Sequence, residues 1–199
     1  MTTVKWAGRL LVALFLLLVG CRSAPATAAP TATVTPTPDV ERGDALPSFQ
    51  IETLSGEVFD PIQHQGAVIV LFFWTIPGEV PTYAEALLLR NAQNVYDQYQ
   101  RDELVMLGIN PLDDAESAAA FVEERGYTFP VAIDENRQLA DQFGYADRTS
   151  TLIYIDTTGE VRSILRDDST TGGQNAQLLV MNPNDATYRI DAYLTETRD

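Results

Sequence analysis

The apolar positions of this chain fall into runs whose order predicts alternating strands and helices. Ala67 to Trp74 is a continuous apolar run, β-branched and aromatic, with no polar alternation. Such a run fits a strand buried on both faces of a sheet. It ends in Thr75-Ile76-Pro77-Gly78-Glu79-Val80-Pro81, and a helix-favouring segment follows. That helix is expected from about Pro81 or Thr82 to about Gln100, because Ala84, Leu87, Leu88, Val95, Tyr96 and Tyr99 recur at helical spacing. Leu104 to Ile109 is a second buried run, closed by Asn110-Pro111. Two buried strands joined by a helix imply parallel pairing with a right-handed crossover. The end of such a strand is where α/β folds place ligands and catalytic groups, so 75–81 is the first place to look for chemistry.

The flanking segments carry weaker signals of the same kinds. Phe49, Ile51 and Thr53 alternate with polar residues, turn at 54–57, and are followed by Val58 and Phe59, which predicts a short edge hairpin. Asp113 or Asp114 can cap a helix through Ala118, Phe121 and Val122 that stops at Gly126. Phe129 to Ile133 reads as a short extended segment, and Arg137 to Phe143 as a short helix closed by Gly144. Thr151–Ile155 and Val161–Leu165 are strands joined through Asp156-Thr157-Thr158-Gly159, a hairpin signal. Asn182-Pro183 opens a last helix, expected to reach about Leu194 and to bury Tyr188, Ile190 or Ala192, and Tyr193. Residues 174–181 fit either a strand or a turn of helix.

The N-terminus is organised differently. Lys5 and Arg9 precede the apolar run Leu10–Gly20, the order of a secretory signal. The run is shorter than the roughly 20 residues that span a bilayer. Leu18-Val19-Gly20-Cys21 resembles the lipobox of bacterial lipoproteins. That resemblance implies cleavage before Cys21, lipid on its sulfur, and an extracytoplasmic, membrane-anchored protein; an ordinary signal peptide is the alternative. Residues 21–45 include P-A-T-A-A-P-T-A-T-V-T-P-T-P, too poor in apolar surface to fold, and are expected to form a semi-extended tether. A folded domain is expected over 46–199.

Composition narrows the function classes. There are 28 acidic and 13 basic side chains among 199 residues, a net charge of −15. Loss of residues 1–20 would leave 11 basic against 28 acidic side chains, net −17. Nucleic acid is therefore not an expected partner, since little here could neutralise phosphates along a strand. Cys21 is the only cysteine, which excludes an intramolecular disulfide and a zinc cluster. The single histidine, His64, lies in a loop-like stretch without a nameable partner and is expected to face solvent. No cofactor or metal is expected.

The element order and five short stretches together resemble the thioredoxin-like superfamily, in its redoxin branch of AhpC/TSA and TlpA-like thiol–disulfide oxidoreductases. Leu46-Pro47-Ser48-Phe49 through Gly56 is similar to the family's P-x-F-x-L-x-x-x-x-G opening, and Phe72-Phe73-Trp74 to the strand leading to its active site. Tyr127 to Val131 with Asp134, Leu139-Ala140 with Phe143-Gly144-Tyr145, and Ile153 to Asp156 with Gly159-Glu160-Val161 resemble later family segments in the right order. The resemblance covers roughly 46–166. It implies a three-layer α/β sandwich on a mixed central sheet with an N-terminal hairpin extension.

What the resemblance implies for chemistry is a loss. The family's active site reads F-W-x-x-W-C-x-x-C, where a thiolate at a helix start is the nucleophile. Laid on that pattern without gaps, Phe73 to Pro81 puts Gly78 and Pro81 at the two cysteine positions. The family's cis-proline, which faces the cysteines, corresponds to Ser150, where a trans bond is expected. Trp74, Thr75, Gly78, Glu79, Pro81 and Ser150 thus mark former active-site positions without a catalytic residue among them. Glu79 at a helix start is expected to complement the dipole rather than act as an acid. The Asp113-Asp114 and Asp167-Asp168 pairs lack calcium-loop spacing and read as caps and solvated loops. Thr75, Thr149 and Ser150 could line the old cleft as polar groups, suited to an extended peptide, a protein partner or a small ligand. The expected function is a redox-inactive binding or scaffolding module, the alternative being a family-type oxidoreductase or peroxiredoxin-like antioxidant working through a partner's thiol.

Overall fold

The structure is a computed structural model. It describes residues 40–78, 83–145, 150–166 and 181–196, with side chains in the first helix from Leu87 onward. The expected signal peptide, Cys21, most of the tether, Glu79, Pro81, Thr149, Asp167, Asp168 and residues 174–180 lie outside the described residues.

The apolar runs become a five-stranded mixed sheet. Its strands are β3 (Val68–Phe73), β4 (Leu104–Asn110), β5 (Val131–Ile133), β6 (Thr151–Ile155) and β7 (Val161–Arg166), in the order β5-β4-β3-β6-β7. β3 pairs parallel with β4, and β4 parallel with β5, as the helical connections require. β6 runs antiparallel to β3, and β7 antiparallel to β6. A separate hairpin joins β1 (Ile51–Glu52) to β2 (Val58–Phe59). The architecture is a thioredoxin-like α/β fold with this hairpin as its N-terminal extension.

β3 is the axis of the core. All six of its residues are buried, and they divide by parity. Val68, Val70 and Phe72 join the apolar layer under α1 (Tyr83–Tyr96), α2 (Ala115–Arg125) and α4 (Pro183–Glu196). Ile69, Leu71 and Phe73 join the opposite layer, with Phe143 and Tyr145 after the short α3 (Gln138–Gln142). Each such side chain contributes about 1.5–3 kcal/mol of transfer free energy, which is why an unbroken apolar run is needed at the centre of the sheet.

The caps follow the sequence signals. Asp114 accepts from the Ser117 N–H at 2.8 Å and opens α2, and Gly126 closes it at φ +68°, a conformation that favours glycine. Three expectations need correction. α1 ends at Tyr96 rather than near Gln100, because the Arg101 guanidinium takes the Tyr96 and Tyr99 carbonyls and the chain turns. Tyr188 is 75% exposed; α4 buries Ala186, Ile190 and Tyr193, one stripe at i, i+4 and i+7, and Tyr188 lies about 200° round the helix from Ala186. Residues 40–45, assigned to the tether from sequence, pack as a strap along β7. Val40 is buried, Gly43 N–H donates to Val161 O, Val161 N–H to Asp44 O, and Leu46 N–H to Gly159 O, each of these three bonds at 2.8 Å.

Candidate functional site

Three strand ends meet where chemistry was expected. Phe73 lies opposite Ile109 on β4 and Thr151 on β6, so Trp74, Asn110 and Ser150 follow at one end of neighbouring strands. The Trp74 N–H extends the ladder by one bond, to Ile109 O at 3.0 Å. Beyond it the chain leaves the sheet. Thr75, Ile76 and Pro77 are half-buried and Gly78 is exposed.

A carboxylate from another loop holds this segment. Asp113 Oδ2 accepts from the Ile76 N–H at 2.7 Å and from Asn110 Nδ2 at 2.8 Å. Asn110 is fully buried, and its Oδ1 accepts from the N–H groups of Leu112 and Asp113 at 3.0 and 2.9 Å. The amide folds the β4–α2 loop back on itself and aims Asp113 at the β3–α1 loop. Asp114 alone of the pair is the helix cap; Asp113 is a clamp between two loops. Asp114 is held below the usual carboxylate range by the Ser117 N–H and hydroxyl.

The family-matched positions divide by exposure. Trp74 is 3% exposed and Ser150 5% exposed, so neither presents its side chain as open surface. The Trp74 indole lies over Gly108, where an added Cβ would stand 3.1 Å from Nε1, and against Phe121 at 6.0 Å. Trp74 therefore works as core. The Thr149–Ser150 bond involves a residue outside the described set. Open surface at this end belongs to 75–78, which offers a threonine hydroxyl, backbone groups and apolar Ile76 and Pro77, but no nucleophile, acid or base. Among the described residues no group of three or more His, Cys, Asp or Glu could hold a metal ion.

His64 sits at the opposite end of β3. It ends a 3-10 turn, Pro61–His64, just before the strand, about 20 Å of strand length away from Trp74. Its ring rests on Phe59 with centroids 5.2 Å apart, and it is half-buried rather than solvent-facing. The Phe59 contact, on a hairpin strand, explains the difference.

Residues 42–164 match the AhpC/TSA family model. The chain belongs to the AhpC/TSA family. Among curated relatives, it is 26% identical over 128 residues to the thiol-disulfide oxidoreductase ResA of Geobacillus thermodenitrificans, covering 62% of this chain and 68% of that one. ResA of Halalkalibacterium halodurans is 23% identical over 139 residues, 69% of this chain and 72% of that one. In structure the chain is similar to a secreted Mycobacterium tuberculosis disulfide oxidoreductase homologous to DsbE, with TM-score 0.56 at 19% identity over 72% of this chain and 95% of that one. The peroxidoxin BcpB from the same organism gives TM-score 0.57 at 19% identity, over 79% and 98%. These likenesses establish the fold. The family's chemistry needs a thiol, and this sequence has no cysteine after Cys21.

Proposed function

We propose that this protein is a membrane-anchored, extracytoplasmic redoxin domain that has exchanged thiol–disulfide chemistry for binding. The observation that carries the reading is the absence of any sulfur nucleophile in the domain, since neither disulfide exchange nor peroxide reduction proceeds in this family without a thiolate. Anchoring rests on the lipobox-like Leu18 to Cys21 and on the Pro/Thr-rich segment behind it. The binding surface is the 75–78 segment, held by Asp113 at the end of β3, a position that other family members use for chemistry. An extended peptide suits it, because Thr75 and the loop backbone supply hydrogen bonds while Ile76 and Pro77 supply apolar contact.

Two measurements on the full-length protein test this. Insulin reduction and peroxide consumption are expected to stay at the buffer rate. Turnover that disappears on substitution of Gly78 or Glu79 would overturn the redox-inactive reading. A cross-linked pull-down from membranes is expected to lose its partner when Thr75 to Pro77 are replaced by Gly-Ser-Gly. Retention of that partner would mean the fold serves assembly through another face.

A further inference from the structure

The strap along β7 borders an open cleft. It is fixed to β7 at both ends: near Arg166, whose guanidinium Nη2 donates to Val40 O at 3.4 Å, and at Val161 through the backbone bonds of Gly43 and Asp44. Between these points it turns outward, closed by the Asp44 N–H to Glu41 O bond at 3.2 Å and by Glu41 N–H to Asp44 Oδ2 at 2.9 Å. The turn leaves a cleft of about 510 Å³ against the strand, floored by Ser163 and Ile164. Glu41 and Arg42 stand on the strap side, Arg162 and Arg166 on β7, and Arg189 and Tyr193 on α4. Four of the chain's twelve arginines therefore meet at one cleft of a protein with net charge −15.

Their partners separate them. Arg162 is held by Asp156 at 3.0 Å and Glu196 at 2.6 Å, and Arg189 by Asp185 at 2.8 Å. These two are compensated and fixed in place. Arg166 gives Nε and Nη2 to the Phe143 carbonyl and meets no carboxylate among the described residues. Arg42 is exposed and has no partner among the described residues. Charged side chains guard open sheet edges against pairing with other chains, and that role accounts for Arg162 and Arg166. It does not account for Arg42, which is carried by the strap.

We propose that this cleft binds a phosphate group, as a monoester or diphosphate, between Arg42 and Arg166. Among the described residues neither guanidinium is paired with a carboxylate, although Glu41 also lines the cleft, and two such charges match a dianion, whereas a single carboxylate would leave one of them unmatched. Their planar forks suit bidentate contact with phosphate oxygens. The strap takes the backbone groups of Val161 and crosses to Arg166, so it obstructs a peptide adding along β7, which favours a small ligand or a headgroup. Binding would draw Arg42 onto β7 and tighten the strap. This site is independent of the 75–78 surface.

The test uses full-length protein in neutral-lipid nanodiscs, titrated with inorganic phosphate and pyrophosphate by calorimetry. A second arm replaces part of the lipid with phosphatidate, and amide exchange of Gly43 and Asp44 is followed in both. Saturable binding with slower exchange is expected, weakened about tenfold or more in Arg42→Gln and tightened in Glu41→Gln. Arg42 is exposed and makes no hydrogen bond or ion pair among the described residues, and thermal unfolding of Arg42→Gln checks that the variant stays folded while binding is read. A response to soluble phosphates alone assigns a free ligand, and a response to phosphatidate alone assigns a lipid headgroup. No saturable response in either arm, or binding unchanged in Arg42→Gln, overturns the proposal.

Discussion

Asp113 shows how one side chain can tie together two loops that are distant in sequence. Its Oδ2 accepts from the Ile76 N–H across 37 positions of sequence and from Asn110 Nδ2 across three. Hydrogen bonds to a charged acceptor are worth about 1.5–3 kcal/mol each, and removing the acceptor strands a part-buried donor. Asp113→Ala should therefore lower stability by about 2–3 kcal/mol in urea unfolding. It should also speed amide exchange at Ile76 while leaving that at Ser117 unchanged, because Asp114 alone caps α2. Equal effects at both amides would mean that the pair acts as one unit. Gly108 gives a second residue-scale expectation. A Cβ there would meet Phe72 Cζ at 3.0 Å and Trp74 Nε1 at 3.1 Å, both buried in the core. Gly108→Ala should cost about 1–3 kcal/mol through overpacking and alter the Trp74 emission. A variant as stable as the parent would show that the indole can move aside. Sequence spacing exposed Asp113 as a possible cap. Its real role was hidden, because a contact between two loops leaves no periodic trace.

At the scale of elements, what was legible is what local physics dictates. β3, β4, β6 and β7 were readable because a strand buried on two faces must be apolar throughout, and a hairpin needs its turn residues. The strap was not readable. Val40 is its one buried apolar residue, set among polar neighbours, and the strap is held mostly by backbone bonds, with Gly43 at φ +93° and the Asp44 carboxylate closing its turn, none of which leaves a periodic trace. The β6–β7 turn is organised around Asp156. Its Oδ1 accepts from the Thr158 N–H and hydroxyl and the Glu160 N–H, and its Oδ2 from Arg162 at 3.0 Å. Burial by itself would raise its pKa, but these bonds from Thr158, Glu160 and Arg162 outweigh it and hold the carboxyl below the usual carboxylate range. A depressed carboxylate pKa stabilises the fold above the unfolded-state value, and that contribution disappears as pH falls through the folded-state value. Asp156→Asn should thus be less stable than the parent at pH 6. The gap should narrow only below about pH 3.8 in thermal unfolding. A gap constant from pH 6 to pH 2 would place the effect in packing rather than charge.

For the whole molecule, fold and chemistry have different dependence on sequence. The fold rests on two apolar layers distributed over the chain, so it tolerates identities of 23–26% to the ResA proteins. The family's chemistry rests on one or two sulfur atoms, and their absence is visible in the sequence by inspection. What inspection could not show is whether the site kept the shape that chemistry needs. Gly78 gives a direct way to ask. It is exposed, nothing lies within 4 Å of an added Cβ, and its backbone is outside the positive-φ region that disfavours side chains. A cysteine therefore fits there without strain. Gly78→Cys combined with Pro81→Cys, assayed for insulin reduction in a Cys21→Ser background, should gain turnover above the cysteine-free control. The rate should be low if Ser150 stands, as the sequence resemblance implies, where the family has its proline. Measurable turnover would mean that Asp113 and the strand ends still hold the loop in working geometry. A double variant that folds, keeps both thiols free and shows no exchange would mean that the loop no longer has the geometry that this chemistry needs.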